Sequence, residues 1–336
     1  MTVPAPFHIP TVDIAPYLTD PTSSASQKII TQVREACLTT GFFQLVGHGI
    51  AKSLKDQVFK GSEAFFKLPY AEKMKLDRTH SIGASNRGYE VIGNQGLQND
   101  TLPDLKEGFY IGKHIDAEDP RIKEGAFLMG PNLWPDSELI PENVFKEPMN
   151  EYFSSMFDLA LSVMGIIALG LPYGPNVFDE FVSNDAVSSI RLLHYPPDLS
   201  QDERQLGAGA HTDFGAITLL LQDEIGGLQV WDNSGKIWMD VTPNTDSFVV
   251  NVGDMLQMWT SGEYKSSLHR VINRGGKDRY SVPFFFDGNI ETVLRPLDGS
   301  EPKGGVMLTV QDHMRERFQS TYGRGKKVEG KDNVKV

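Results

Sequence analysis

The chain has 336 residues, 40% of them hydrophobic, and a formal net charge of −12. This length and composition suit one large domain, alone or with an extension, and exclude a mainly disordered chain. The acidic balance argues against a nucleic-acid partner, because binding to a phosphate backbone normally requires a basic surface.

The single cysteine and the first residues limit the chemistry and the location. Cys37 stands alone, which excludes an internal disulfide, a cysteine-based zinc site and an iron–sulfur cluster. The first ten residues lack the charged and apolar regions of a secretory signal. The longest mostly apolar stretch, residues 159–171, is too short to cross a bilayer of roughly 30 Å. We therefore expect a cytoplasmic protein without a membrane partner.

Two segments in the first half of the chain have the apolar spacing of helices. In residues 24–41, Ile29, Val33 and Cys37 recur every four residues. In residues 149–169, Met, Phe and other apolar side chains form a broad face. Such a face is typical of a buried core helix rather than of a cofactor site.

The remaining segments predict a loop region followed by a β domain. Residues 81–135 are rich in Gly, Asn, Asp and Pro, which predicts a largely loop structure. From about residue 187 the chain contains short β-type runs separated by turn signals, namely SIRLLHY, AITLLLQ, GLQVW, SFVVNV, SLHRVI and RYSVPFFF. Their length and spacing predict a sandwich or jelly roll that can hold a ligand between its sheets. The Lys- and Gly-rich residues 323–336 are expected to be disordered.

Three side chains in the β region form a candidate metal site. His211 and Asp213 are two residues apart, so they project from the same face of a strand. Such a pair by itself is usually a surface or hydrogen-bonded pair, and His269 by itself is usually a core histidine. Together the three residues make the facial triad of non-haem Fe(II) oxygenases, which leaves positions open for co-substrate and dioxygen.

A candidate carboxylate clamp follows the last histidine. Arg279 and Ser281 share one face of the next strand, which brings a guanidinium and a hydroxyl side by side. The planar guanidinium can pair with both oxygens of a carboxylate. A surface arginine on a strand edge is the alternative interpretation. Its position just after a possible iron ligand favours a clamp for the distal carboxylate of 2-oxoglutarate.

The ordered set of His211, Asp213, His269, Arg279 and Ser281 resembles the isopenicillin N synthase-like branch of the Fe(II)/2-oxoglutarate-dependent dioxygenases. The resemblance extends over nearly the whole chain. Further matching motifs are IPTVD at 9–13, GFFQLVGHGI at 41–50, FFKLP at 65–69, GLQV at 227–230, NVGD at 251–254 and YKSSLHRV at 264–271.

The resemblance implies a fold that is mainly β with α. Its core is expected to be a double-stranded β-helix (jelly roll), flanked by N-terminal and central helices. The expected parts are a mixed N-terminal region of the non-haem dioxygenase type at 1–120, a connecting loop and long support helix at 121–185, the dioxygenase core at 186–290, a C-terminal helical segment at 291–322 and the tail at 323–336.

The resemblance also implies an activity. Fe(II) would be the cofactor, and 2-oxoglutarate and O2 the co-substrates, with decarboxylation of 2-oxoglutarate to succinate and CO2. The substrate would be a small metabolite, oxidised most simply by hydroxylation, in specialised (secondary) metabolism. A 2-oxoglutarate-independent iron oxidase is the alternative, followed by a non-catalytic sensor that binds a small acid or a metal.

One motif departs from the plant pattern of the family. Many plant members have Asn-Tyr-Tyr-Pro-Pro before the iron strand, where this chain has Leu193, His194 and Tyr195 followed by two prolines. Tyr195 is therefore the transferable tyrosine, as a hydrogen-bond donor to 2-oxoglutarate or as a structural core residue. His194 points away from Tyr195, and His48 matches a structural position, so neither is predicted to bind iron.

Aromatic side chains are expected to wall the substrate pocket. Phe214 directly follows Asp213, and Phe284 and Phe286 lie near the clamp on its strand. A flat apolar or aromatic small molecule would suit such a lining.

Three polar residues complete the predicted pocket. Arg191 is an even step of four before Tyr195, so it could reach an anionic or carbonyl group, or serve as a buried ion-pair partner. The loop that carries Asn86 and Arg87 could close over the site as a lid. The expected partner is a small-molecule substrate, with no obligate protein partner evident and a preference for a monomer.

Overall fold

The computed structural model describes residues 7–183, 186–200, 202–302 and 304–322. The tail predicted to be disordered, residues 323–336, lies outside these ranges. The strands are β1 Thr11–Asp13, β2 Phe42–Val46, β3 Gly88–Glu90, β4 Glu107–Gly112, β5 Val187–Tyr195, β6 Ala208–His211, β7 Ile217–Gln222, β8 Leu228–Asp232, β9 Ile237–Asp240, β10 Phe248–Val252, β11 His269–Val271 and β12 Arg279–Gly288. The helices are α1 Ala15–Thr19, α2 Ser24–Thr39, α3 Lys52–Phe66, α4 Tyr70–Met74, α5 Pro120–Lys123, α6 Lys146–Leu169, α7 Asp254–Trp259 and α8 Val310–Tyr322.

The strands form two sheets that face each other across a cavity. The larger sheet has eight strands in the order β1-β2-β10-β7-β12-β5-β4-β3, and the smaller has four in the order β6-β11-β8-β9. Strand β1 pairs parallel with β2, and the other named pairs are antiparallel. Apolar side chains from both sheets, such as Leu193 and Leu228, pack in one cluster between them. The predicted class, mainly β with α and a jelly-roll core, is confirmed.

Helix α6 packs on the outer face of the larger sheet. The ring centres of Phe153 on the helix and Phe284 on β12 are 5.7 Å apart, and those of Phe157 and Phe286 are also 5.7 Å apart. By length and composition α6 could also cross a membrane, although core helices of soluble proteins pass the same test. Its position between the sheet and helices α2 and α3 is that of a core helix.

The two helices predicted from apolar spacing are both present. The first runs from Ser24 to Thr39, and Ser23 caps it by accepting a hydrogen bond from the Ser26 amide at 3.2 Å. Gly41 then takes a φ of +69°, and a Cβ there would lie 1.8 Å from a backbone oxygen of Lys265. Only glycine fits this turn without displacing the neighbouring backbone.

Strands β3 and β4 lie in the segment predicted to be mainly loop. Most of residues 81–135 is irregular, but β4 is buried along its whole length and pairs with β5. The many glycines and prolines around it masked the strand pattern. Strands β1 to β4 belong to the larger sheet, so this sheet draws on both sides of the predicted boundary at residue 186.

Candidate metal and co-substrate site

The three predicted metal ligands converge at one end of the cavity between the sheets. His211 ends β6 and pairs directly with His269, which begins β11, while Asp213 follows in the turn after β6. Oδ1 of Asp213 lies 3.7 Å from Nε2 of His211 and 3.6 Å from Nε2 of His269. One donor atom from each residue lies within 4.8 Å of the others. This donor set, two imidazole nitrogens and a carboxylate oxygen, suits Fe(II).

Backbone carbonyls orient both imidazole rings. Nδ1 of His211 donates to the Gly209 carbonyl at 2.7 Å, and Nδ1 of His269 donates to the Ser267 carbonyl at 3.2 Å. Because a carbonyl oxygen only accepts, the proton resides on Nδ1 of each ring. The Nε2 lone pairs are therefore free to bind a metal ion. Burial lowers the pKa of His211 to about 3, with a further contribution from His269, which keeps the ring neutral.

The carboxylate of Asp213 is held by two side chains. Its Oδ2 accepts hydrogen bonds from Thr218 Oγ1 at 2.6 Å and Asn251 Nδ2 at 2.7 Å. Burial alone would raise the pKa of Asp213, but the pKa lies below its ordinary value, and these two hydrogen bonds contribute to the lowering. The carboxylate is thus ionised, and Oδ1 faces the two histidines.

Arg279 is a fully buried cation with unused hydrogen-bond donors. Its Nη2 donates to Gln222 Oε1 at 3.2 Å, whereas its Nε and Nη1 have no partner among the described residues. Its guanidinium lies 4.8 Å from the ring centre of Tyr195. Burial of an arginine without a carboxylate partner destabilises the fold unless a bound anion pairs with the guanidinium. The two donors suit the distal carboxylate of 2-oxoglutarate.

The metal ligands and the clamp line the same cavity, which has an empty volume of about 560 Å³. Phe42 and Pro283 supply apolar walls. The predicted residues on this cavity are His211, Asp213, His269, Tyr195, Arg279, Ser281 and Arg191.

Comparison with known proteins identifies the family. Residues 186–288 match the 2OG-Fe(II) oxygenase superfamily, and residues 9–137 match the N-terminal region of the non-haem dioxygenase in morphine synthesis. The 2-oxoglutarate-dependent dioxygenase citB of Monascus ruber is 51% identical over 321 residues, covering 94% of this chain and 96% of citB. This chain belongs to the 2OG-Fe(II) oxygenase superfamily.

Other relatives agree with this assignment. Clavatol oxidase claD of Penicillium crustosum is 42% identical over 330 residues, covering 94% of this chain and 97% of claD. A full-length Neurospora crassa protein, crystallised in complex with alpha-KG and thymine, superposes with a TM-score of 0.78 at 28% identity, covering 93% of this chain and 96% of that chain. The protein is a 2-oxoglutarate-dependent dioxygenase that uses Fe(II), with 2-oxoglutarate and O2 as co-substrates. Bound Fe(II) supplies the redox chemistry that activates dioxygen.

A second cavity, with an empty volume of about 590 Å³, adjoins the first and shares five lining residues with it, namely Leu97, Arg191, His211, Asp213 and Phe285. Four of the residues predicted for a substrate pocket line it, namely Phe214, Arg191, Asn86 and Arg87. Residues on this cavity that the sequence reasoning missed are Tyr110, Phe285, Asp287, Met314, Phe318 and Tyr322.

Phe284 and Phe286 do not line either cavity, contrary to the prediction. They point to the outer face of β12, where they pack against Phe153 and Phe157 of α6. Side chains alternate along a strand, so the face that carries Arg279 continues through odd-numbered positions. Phe285 is therefore the phenylalanine of β12 that faces the substrate cavity.

Arg191 forms a buried ion pair, which was one of its two predicted roles. Its Nη2 donates to a carboxylate oxygen of Glu90, and both Nη atoms lie 3.1 Å from Gln95 Oε1. Its guanidinium lies 4.7 Å from the ring centre of Tyr110. Arg191 thus faces the cavity as a neutralised cation.

The segment predicted to be a lid lies along the wall of this cavity, where hydrogen bonds hold Arg87. Arg87 is 1% exposed and donates to the carbonyls of Ser85 and Leu128, each at 2.7 Å. Gly112 makes room for it, since a Cβ there would lie 2.0 Å from Nη2 of Arg87. The Nε of Arg87 and the Nδ2 of Asn86 have no partner among the described residues. These two nitrogen donors could therefore bind a ligand in the cavity.

Asp287 adds a buried carboxyl group to the same cavity. It is 2% exposed, and burial raises its pKa to about 7, with a further contribution from the charge of Asp213. The strand alternation that starts at Arg279 would have found it, because Asp287 is an even step of eight further along β12.

Helix α8 closes the far side of the substrate cavity with Met314, Phe318 and Tyr322. Nε2 of His313 lies 2.9 Å from the carbonyl of Phe214, the residue directly after Asp213. Arg317 pairs with Asp254 at 3.2 Å. The sequence gives no local signal for this placement, because α8 is distant in sequence from every residue that it contacts there.

Proposed function

We propose that His211, Asp213 and His269 hold Fe(II), and that Arg279 and Ser281 bind the distal carboxylate of 2-oxoglutarate. The observation that carries this assignment is the buried Arg279, whose two unused donors face the cavity that contains the metal ligands. Charge-assisted hydrogen bonds from a guanidinium to a carboxylate are among the stronger polar contacts in proteins.

Tyr195 supports the clamp through its ring in this proposal. The Arg279 guanidinium lies over that ring, and the two residues are paired across β5 and β12. A cation held over an aromatic face keeps a fixed orientation while its edge remains free for an anion.

The proposed substrate is a small, flat molecule with an aromatic or otherwise apolar ring and at least one polar substituent. Phe214, Phe285 and Phe318 provide apolar walls beside the metal ligands, and Phe214 and Phe318 are in edge contact at 5.9 Å. Arg87 and Asp287 provide polar groups on the same cavity. Such a combination orients a small ligand through few polar contacts.

The relatives support a place in specialised metabolism. One relative is named for clavatol oxidation, and the Neurospora crassa protein has been crystallised with thymine, so proteins of this fold act on or bind small ring compounds. We propose oxidation of such a compound, most simply hydroxylation. The cytoplasmic location, the monomeric state and the lack of nucleic-acid, membrane and obligate protein partners remain part of this proposal.

Anaerobic titration of the Fe(II)-loaded protein with 2-oxoglutarate tests the assignment. A weak visible charge-transfer band is expected when the keto acid chelates iron, and Arg279→Ala should weaken its binding. Substrates are then screened by succinate release. Absence of the band with iron bound would favour the 2-oxoglutarate-independent oxidase, and ligand binding without oxygen consumption would favour a sensor.

A further inference from the structure

Lys106 is a buried cation on the co-substrate cavity. Its side chain is 3% exposed and pairs with Asp104, which is 1% exposed. The same cavity is lined by the three proposed iron ligands and by Arg279 and Ser281. An ammonium group therefore faces the space assigned to 2-oxoglutarate, and the sequence reasoning did not identify it.

The strand pattern of β4 explains why Lys106 points inward. Lys106 directly precedes β4, and the inward positions that follow it are Gly108 and Tyr110. Glu107 points to the opposite face, where it pairs with Lys73 at 2.6 Å. Two buried lysines thus flank one strand end, and only Lys106 lines the cavity.

Hydrogen bonds place Lys106 at the iron end of the cavity. Oδ1 of its partner Asp104 accepts the Gly209 amide at 2.9 Å, and the Gly209 carbonyl accepts Nδ1 of His211 at 2.7 Å. Arg279, in contrast, lies beside Tyr195 and Gln222.

The ammonium group of Lys106 has more donors than partners. A lysine offers three hydrogen-bond donors, and among the described residues its one hydrogen-bond partner is Asp104. Buried polar groups are normally satisfied, so a further acceptor is expected inside the cavity. Because Asp104 already neutralises the charge, Lys106 is suited to donate a hydrogen bond rather than to balance a second negative charge.

We infer that Lys106 Nζ donates a hydrogen bond to the carboxylate at the iron-binding end of 2-oxoglutarate, while Arg279 binds the distal carboxylate. This inference rests on the proposed function of the cavity. It makes Lys106 a binding residue for the keto-acid end of the co-substrate.

The test is anaerobic titration of Fe(II)-loaded protein with 2-oxoglutarate, following the charge-transfer band. The variant is Lys106→Met combined with Asp104→Asn, which removes the ammonium, leaves no unpaired charge and keeps an oxygen for the Gly209 amide. We expect 2-oxoglutarate to bind about ten- to a hundredfold more weakly, as for loss of a charge-assisted hydrogen bond. The band maximum should also move, because a chelating carboxylate loses a donor.

Two controls separate this effect from others. Lys73→Met removes the other buried lysine and should leave both the affinity and the band maximum unchanged. Arg279→Gln should weaken binding without moving the maximum. Metal analysis verifies that each variant is loaded with iron.

The outcomes are distinguishable. If the wild type shows no band, the proposed function fails, and the inference fails with it. If the wild type shows the band and the Lys106 variant binds 2-oxoglutarate equally well, only the inference is overturned. Weaker binding with an unchanged maximum would overturn the assignment to the iron-binding end.

Discussion

At the scale of single residues, the metal site depends on groups that do not bind the metal. Thr218 and Asn251 donate hydrogen bonds to Oδ2 of Asp213. Oδ1 is left directed towards His211 and His269. A carboxylate without these donors would rotate, and its pKa would rise as burial came to dominate. Ligand orientation is therefore set by the neighbouring strands β7 and β10.

Asn251→Ala tests this dependence. We expect about a ten- to hundredfold loss of Fe(II) affinity, the usual effect of removing a hydrogen bond to a metal ligand. Competition with a metal chelator measures the affinity. Asn244→Ala, on an exposed turn, is the control, and an unchanged affinity in Asn251→Ala would contradict the proposed role.

Substitution of two neighbouring phenylalanines of β12 should affect different properties, stability for Phe284 and kinetics for Phe285. Phe284→Ala leaves a cavity against α6 and should lower the free energy of unfolding by about 3–5 kcal/mol. Phe285→Ala removes a side chain that lines both cavities and should mainly raise the KM values for the substrate and for 2-oxoglutarate. Urea unfolding and steady-state kinetics on both variants measure the two effects. If the kinetic effect followed Phe284, the assigned strand faces would be wrong.

At the scale of elements, the runs with clear alternation were predicted and β4 was missed. SFVVNV and RYSVPFFF became β10 and β12, because their β-branched and aromatic residues fit a buried pleated surface. In β4, glycines stand at positions 108 and 112, which normally indicate a turn. At Gly112 a Cβ would overlap the guanidinium of Arg87, at 2.0 Å from Nη2, and at Gly108 a Cβ would lie in tight contact with Nε of Arg191, at 3.1 Å. These contacts form only in the folded protein, so the local sequence could not show that the glycines belong to a strand.

The outer face of β5 carries a buried polar network centred on His194. Its Nδ1 lies 2.8 Å from Glu107, and its Nε2 lies 2.7 Å from Asp278. Glu107 also accepts hydrogen bonds from Lys73 and Tyr89, each at 2.6 Å. Burial alone would lower the pKa of His194, but the hydrogen bonds that its ring donates to Glu107 and Asp278 raise the pKa above its ordinary value of 6.5.

This network predicts a pH-dependent stability. A raised folded-state pKa means that the stabilisation by His194 is fully present below the unfolded pKa of about 6.5 and is lost as the pH rises through the folded pKa. His194→Gln should remove this slope on the alkaline side of pH 6.5. Urea unfolding across a pH series measures it. Exposed His80→Gln is the control, and an unchanged slope in His194→Gln would refute the linkage.

At the scale of the whole molecule, the convergence of the proposed metal triad and clamp on one cavity could be predicted, because their spacing follows strand alternation within short segments. The substrate cavity was predictable only in part. Its walls come from the N-terminal half, from β12 and from α8, and their meeting depends on the complete fold. Thus the sequence predicted that Phe214, next to Asp213, lies on the cavity, whereas no sequence pattern indicated Phe318 or Tyr322.

Helix α8 links the C-terminal part of the chain to the N-terminal region. Oε1 of Gln311 accepts the Phe127 amide at 2.9 Å, and Arg315 donates to the Gly125 carbonyl at 2.6 Å. These bonds lie outside the metal site, so they hold the helix without touching the co-substrate cavity. Loosening them should affect the substrate cavity alone.

The double variant Gln311→Ala, Arg315→Ala tests this separation. We expect the KM for the substrate to rise by up to about tenfold, because two hydrogen bonds that fix the wall are lost, while 2-oxoglutarate affinity stays unchanged. Hydrogen exchange should increase within residues 310–322. Glu316→Ala, exposed on the same helix, is the matched control. A parallel loss of 2-oxoglutarate binding would mean that α8 also supports the metal end, through His313 and the backbone of Phe214.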